Sequence, residues 1–251
     1  MKSIAVGGLA ALGLAIAPST HATSFTNGGF ETLTNGPGQL SGGATVATGW
    51  TVAAMGSIVA FAPGTADTTG APTVPGEPLF GTILLWGTND GGVSVLPATS
   101  PSGGDFVALD GAFGDKPLQQ IITGLRVGAT YHVGFDYGFG EQQGFAQDTI
   151  QNLSVTFAGV TQTTADYSVP EKSFTGWFHT SFDVVATSTT DTLSFLAYGS
   201  RPAPPFALLD GVTFTSSAVP EPATWALMVL GVGAVGAARR RQAAVAAQAI
   251  R

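Results

Sequence analysis

A hydrophobic period of two limits what this chain can fold into. In Tyr131-His-Val-Gly-Phe-Asp-Tyr137 the apolar side chains fall at Tyr131, Val133, Phe135 and Tyr137, while His132 and Asp136 face the other way. That is the pattern of a strand with one buried face. The alternation recurs at Leu153, Val155 and Phe157, at Phe178, Phe182 and Val184, and at Leu193, Phe195 and Ala197. Residues 57–61, 83–86, 106–109, 118–122 and 212–214 read as further strands. With 35 Gly and 15 Pro the chain is dense in turn formers, and no helical period separates the runs. About ten short strands with this punctuation predict an all-β fold, a two-sheet sandwich of jelly-roll type, rather than a barrel or a parallel sheet. Residues 63–78, rich in Pro, Gly and Thr, read as a long surface loop.

Composition narrows the function classes. The chain is 44% hydrophobic but only 10% charged, so a core forms and uncharged polar residues supply most of the polarity. There is no Cys, which removes disulfides, thiol catalysis and Cys-ligated zinc together. The formal charge is -7, and the ends hold Lys2, Arg239, Arg240, Arg241 and Arg251 against one acid, Glu221. The middle of the chain therefore carries 15 acids against four bases, about -11. Such a surface repels phosphate backbones, so nucleic acid is excluded as a partner and divalent cations are favoured.

The two ends read as addresses. Lys2, an apolar run over 4–17 and Pro18-Ser-Thr-His-Ala22 form the n-region, h-region and small-residue cleavage site of a signal peptide, residues 1–22. The run is too short for a membrane anchor. At the far end, Val219-Pro-Glu-Pro-Ala-Thr-Trp-Ala226 precedes an apolar stretch that ends at Arg239-Arg240-Arg241. Pro220 and Pro222 bar a helix before the stretch, and residues 223–238 are free to be helical. Trp225 suits one membrane interface and the Arg cluster the cytoplasmic side, which places residues 23–218 outside the inner membrane.

The order Pro220-Glu221-Pro222, Trp225, apolar helix and Arg239 to Arg241 resembles the PEP-CTERM sorting signal, in its variant with Trp-Ala after the motif. The resemblance implies a tail, residues 219–251, with a transmembrane sorting helix processed by an exosortase in a Gram-negative bacterium that makes exopolysaccharide. An ordinary C-terminal anchor predicts the same topology. Within the body, Asn27-Gly-Gly-Phe-Glu31, Gly49-Trp50, Ser100-Pro-Ser-Gly-Gly-Asp-Phe106, Leu118-Gln-Gln-Ile121, Gly128-Ala-Thr-Tyr131 and Leu208-Leu-Asp-Gly-Val212 are similar, in order, to marks of galactose-binding-like domains. Those are jelly rolls related to many carbohydrate-binding modules. Where relatives often carry Asp-Asn-Val, this chain has Asp210-Gly211-Val212.

That second resemblance implies a structural calcium held by Glu31 and Asp210, with backbone carbonyls completing the oxygen shell. The competing reading is that Glu31 caps a turn and Asp210 starts an Asp-Gly turn. Asp105, Asp110 and Asp115 form a looser acidic group that reads as a solvated loop. For glycan stacking the candidates are Trp86, followed by Gly-Thr-Asn-Asp-Gly-Gly, and Tyr137, near the polar loop Glu141-Gln-Gln143. Burial of Trp86 is the alternative. Trp50 and Trp177 read as core rings. The body offers only His132 and His179 as imidazole bases, with no Gly-x-Ser-x-Gly elbow and no His-Glu-x-x-His pair, so no catalytic residue is assigned. The expected function is a non-enzymatic glycan-associating module, exported to the cell surface or matrix and meeting extracellular polysaccharide there. A structural or adhesive matrix protein without a sugar site is the alternative, and a glycoside hydrolase or lyase a distant third.

Overall fold

The computed structural model describes residues 23–40, 45–52, 58–68, 83–113, 117–200, 204–217 and 222–248. The chain divides into a body, Ala22–Ser217, and the terminal segments. The proposed signal peptide lies outside the described residues.

The body is the all-β, two-sheet fold that the alternation predicts. Its strands are β1 (Gly38–Gln39), β2 (Thr51–Val52), β3 (Ile58–Phe61), β4 (Phe106–Asp110), β5 (Leu118–Thr123), β6 (Thr130–Glu141), β7 (Thr149–Phe157), β8 (Val160–Thr163), β9 (Tyr167–Val169), β10 (Phe178–Val185), β11 (Thr190–Gly199) and β12 (Pro205–Ser216). One sheet runs β1-β3-β4-β12-β6-β10 and the other β2-β5-β11-β7-β8, with β9 paired to β7 beside β8. Every pairing is antiparallel.

Alternating strands bury their apolar face between the sheets. Tyr131, Val133, Phe135, Tyr137 and Phe139 of β6 meet Leu153, Val155 and Phe157 of β7 and Leu193, Phe195 and Ala197 of β11 in one core cluster. Phe135 packs edge-on against Phe195 at 5.2 Å, a favoured aromatic geometry. Trp50 is in this core as expected, its indole N–H donating to the Asn27 carbonyl at 2.9 Å. Tyr137, expected at a polar loop, is instead buried here with its hydroxyl 3.3 Å from that of Tyr167, and it presents no ring face to a ligand.

Three strands do not alternate, for a physical reason. Ile58-Val-Ala-Phe61, Phe106-Val-Ala-Leu109 and Phe206-Ala-Leu-Leu209 are continuous apolar runs because both of their faces are covered. On the outer face a second cluster of Val59, Phe61, Phe106, Phe206 and Leu208 is roofed by Ile83, Leu85, Leu96 and Phe174. This corrects the expected strand at 83–86. Its apolar residues serve as that roof, and only Leu85 makes a lone bridge, to Gln142. Of the expected loop at 63–78, residues 63–68 form turns and the rest lie outside the described residues. Gly138 is required here, since a Cβ on it would come within 2.7 Å of both the Phe174 ring and the Gly176 carbonyl.

Taken by itself, the C-terminal helix α1 spans Pro222–Gln248. Pro222 sits in its first turn, where a missing N–H is harmless. The expected apolar helix 223–238 is thus longer: it continues through Arg239 to Arg241, because the residues after them are good helix formers. Among the described residues no helix is long and apolar enough to cross a membrane.

The last residue of β6, Glu141, is fully buried, although sequence placed it in a surface loop. One carboxylate oxygen accepts from Thr149 Oγ1 at 3.0 Å, and the other accepts from the Lys172 backbone N–H at 3.2 Å. Burial pushes its carboxyl up to about 7, against those two hydrogen bonds and with help from Asp148 and Glu171. The folded state therefore binds more protons than the unfolded one between the ordinary carboxylate range and about pH 7, so stability falls as pH rises through that window. Glutamine can keep both contacts, its oxygen toward Lys172 and its amide toward the Thr149 hydroxyl. Thermal melts from about pH 5 to pH 8 are expected to show this decline, and Glu141→Gln to make it shallower. An unchanged pH slope in the variant would remove Glu141 from this role.

Candidate functional site

The first segment and the last long strand build an acidic site together. Gly28 accepts from the Val212 N–H at 2.9 Å, and a Cβ at Gly28 would lie 1.9 Å from the Val212 carbonyl oxygen. Only glycine lets the segment lie this close to β12. Phe30 anchors it, fully buried with φ at 58°. Glu31 is thereby brought to Asp210: a Cβ on Gly29 would sit 3.9 Å from Oε1 of the one and 3.9 Å from Oδ1 of the other.

Asp210 starts no turn. It lies inside β12 directly opposite Asp136 of β6, and the extra residue at Gly211–Val212 is a β-bulge that shifts the register before Thr213 pairs with Gly134. Gly211 takes φ 56°, and a Cβ there would be 2.1 Å from Ser102 Oγ. Asp210 is fully buried. Its Oδ2 accepts from the Ser100 hydroxyl, whereas Oδ1 has no hydrogen-bond partner. Burial pushes its carboxyl up to about 7; the Ser100 and Gly211 hydrogen bonds oppose this, and the charges of Glu31 and Asp136 add to it. Asp105 is also raised, by burial and by Glu31, which accepts from the Asp105 N–H at 2.9 Å.

Sequence reading did not find the rest of this network. Asp136 accepts from Ser102 Oγ at 2.7 Å, and its other oxygen lies 2.8 Å from His179 Nδ1. His132 likewise faces Asp183 at 2.8 Å across the same β6–β10 pair. The only signal was that His132 and Asp136 share the outer face of β6; their partners follow from register alone. Of the looser acidic group, Asp105 joins Glu31, Asp110 ends β4 and accepts from the Ala112 N–H, and Asp115 lies outside the described residues.

The donor set suits a hard cation. An orphaned, buried carboxylate oxygen beside a second carboxylate is chemistry that calcium satisfies. Among the described residues no three His, Cys, Asp or Glu side chains converge to hold an ion by themselves, so backbone carbonyls would have to complete the shell.

Trp86 occupies a separate place among the loops that roof the sheet. It is half-buried, its backbone N–H donating to the Glu141 carbonyl at 3.0 Å and its indole N–H to the Phe145 carbonyl at 2.5 Å. The Lys172 ammonium lies 5.3 Å from the ring centroid, a cation–π contact. Lys172 reaches it through a left-handed backbone, φ 58°, while its carbonyl accepts from the Val93 N–H at 2.9 Å. Phe145, whose carbonyl takes the indole bond, and Val93, whose N–H bonds Lys172, are both exposed. The site thus offers a partly open indole with one cation over its ring and exposed apolar residues on the loops that hold it.

Comparison with known proteins bears on both parts of the chain. Among curated proteins no sequence matches it. The body is similar to a solved carbohydrate-binding module, TmCBM61 in complex with beta-1,4-galactotriose, at 14% identity over 78% of this chain and 99% of that one, with a TM-score of 0.41. It is similar to the CBM22-1 xylan-binding domain of Paenibacillus barcinonensis Xyn10C at 11% identity, 76% and 92% coverage and a TM-score of 0.39. It is also similar to tailspike protein 4 of bacteriophage CBA120 at 13% identity, 78% and 21% coverage and a TM-score of 0.36. Residues 218–242 match the PEP-CTERM protein-sorting motif, so the chain carries a signal for export and surface sorting.

Proposed function

We propose that the chain is an exported module of the cell surface or extracellular matrix, that its body associates with glycan, and that an exosortase processes its tail. The observation that carries the first part is the sorting motif at 218–242, which begins two residues after β12 ends at Ser216. Glycan association rests on the Trp86 loop, where an accessible indole stands beside polar and apolar groups in the way sugar rings are held. Calcium would be held by Glu31 and Asp210, relieving the unpartnered Asp210 oxygen and tying the first segment to the last strand.

Processing is read by mass spectrometry of protein released from cells. A start near Thr23 and an end within residues 219–222 are expected; an intact Met1-to-Arg251 chain in the medium contradicts the sorting. Retention of the body on immobilised polysaccharides is expected to fall at least about tenfold in Trp86→Ala, the equivalent of ~1.4 kcal/mol. Equal retention of the two proteins, with matched melting curves, would move the sugar site elsewhere. For calcium, a free concentration near a hundred times the dissociation constant raises stability by roughly 2.7 kcal/mol, and Glu31→Gln is expected to abolish most of the gain while leaving the fold intact in chelator. Sodium chloride reproducing the effect in both proteins would instead assign it to general screening.

A further inference from the structure

Sheet edges expose unpaired backbone groups, and proteins guard them with charge, proline or shortness. Among the described residues most edges of this body are guarded in those ways. β1 and β2 have two residues each, β9 stops at Pro170, and β10 presents His179 and Asp183. β8 is different. Val160, Thr161, Gln162 and Thr163 are all exposed, with no charge, no proline and no bulge.

The direction of each backbone group on β8 follows from its hairpin. Ala158 and Gly159 form the two-residue turn, with φ 49° and 76°, as a type I′ turn requires. Phe157 and Val160 therefore close the turn as a hydrogen-bonded pair. Bonded pairs then alternate, so Gln162 faces Val155 and Thr164 faces Leu153, and the Thr164 N–H does donate to the Leu153 carbonyl at 3.0 Å. The intervening pairs are the close, non-bonded ones, which is why Thr156 and Thr161 hydroxyls meet at 2.8 Å and Ser154 and Thr163 hydroxyls at 2.9 Å. Consequently the N–H and C=O of Thr161 and of Thr163 point away from β7, toward open solvent.

We infer that β8 is a self-association edge, on which a second copy of this chain adds its own β8 antiparallel and joins two sandwiches into one continuous sheet. The occupant is argued from charge and symmetry. Two chains of formal charge -7 repel each other wherever acids meet. The other sheet exposes Asp183 on its edge strand β10, whereas β8 and the Ser and Thr residues that it faces on β7 carry no charge. An antiparallel edge is also self-complementary about a two-fold axis, so one uncharged strand serves both partners. Outward groups set the register: Thr161 bonds Thr163 of the other copy and Thr163 bonds its Thr161, which gives four backbone hydrogen bonds. Gln162 then lies on the axis, opposite itself, in a close non-bonded pair. So short an edge pairs weakly in dilute solution and matters where sorted copies crowd on one surface.

The absence of Cys from the chain makes the test clean. Opposed residues of a non-bonded pair have Cα atoms ~4.5 Å apart, within disulfide reach. Full-length chain carrying Gln162→Cys, oxidised mildly after purification, is expected to give several-fold more disulfide dimer than Thr123→Cys, an exposed position elsewhere on the same sheet. Adding Thr161→Pro removes an outward N–H without touching the β7 ladder and is expected to return the dimer to the Thr123→Cys level, with the melting curve confirming the fold. Gln162→Lys and Gln162→Glu chains are each expected to lose self-pairing and to pair when mixed, since like charges face each other in the first case and opposite charges in the second. Dimer yields equal at positions 162 and 123, or a Thr161→Pro chain that cross-links as before, would overturn the assignment. So would a Gln162→Cys chain trapped with a different protein in place of itself.

Discussion

The register of β12 on β6 is the constraint from which the rest of this body follows. β12 lies between β4 and β6, and its pairing with β6 runs nearly the length of both strands. On one side the pair supplies Leu209, Val212, Phe214, Phe135 and Phe139 to the core; on the other it sets Asp136 directly against Asp210. Because side chains alternate with a period of two, a slip of one residue would send the carboxylates inward and the rings outward. The bulge at Gly211 lets both demands be met. It adds the residue that keeps Val212 and Phe214 on the core side beyond the two acids, and it turns the Val212 N–H toward Gly28.

Two unlike outer faces result. Part of the sheet containing β6 is roofed by the loops around Leu85, Leu96 and Phe174, and the rest carries carboxylates and imidazoles, with Asp136 and Asp210 buried beneath the serines of the 100–102 turn. The other sheet shows Ser, Thr, Gln and Asn in cross-strand rows, with Gln119, Ser194, Thr156 and Thr161 in one line across four strands. A chain this acidic thus confines much of its sheet-borne charge to one face. The proposed calcium lies on the charged face of one sheet, and the proposed contact between copies uses the uncharged β8 edge of the other.

The class of fold was legible because one-sided burial writes itself as alternation, and β7, β10, β11 and the first residues of β6 show it; beyond Val133 both faces of β6 are covered, and its alternation separates core rings from smaller and polar residues. What was not legible depended on partners distant in sequence. Residues 83–86 have the apolar run of a strand, yet they cover a face that only exists once β3, β4 and β12 are adjacent. Tyr137 obeys the alternation that buries it, and the polar residues 141–143 that follow do not change the face it takes. Glu31 and Asp210 came together on resemblance alone; their spacing in the chain says nothing of it. His179 and Asp136 are joined purely by strand register, which no local pattern encodes.

Two carboxyls of this body are left in costly settings. Glu141 and Asp210 are both completely buried, and burial is the first cause raising each carboxyl. The two differ in what surrounds them. Both Glu141 oxygens accept hydrogen bonds, one from a hydroxyl and one from a backbone N–H, so its carboxylate is a satisfied hub that fixes the 170–172 loop and, through it, the Lys172 ammonium over Trp86. Asp210 keeps one oxygen without any partner, next to further carboxylates that oppose its charge. A protein that needed Asp210 only for packing would be served as well by asparagine, which carries no charge to desolvate. A carboxylate there makes physical sense where a positive charge completes it, and that asymmetry separates the acid that organises the 170–172 loop from the acid to which the proposed calcium is assigned.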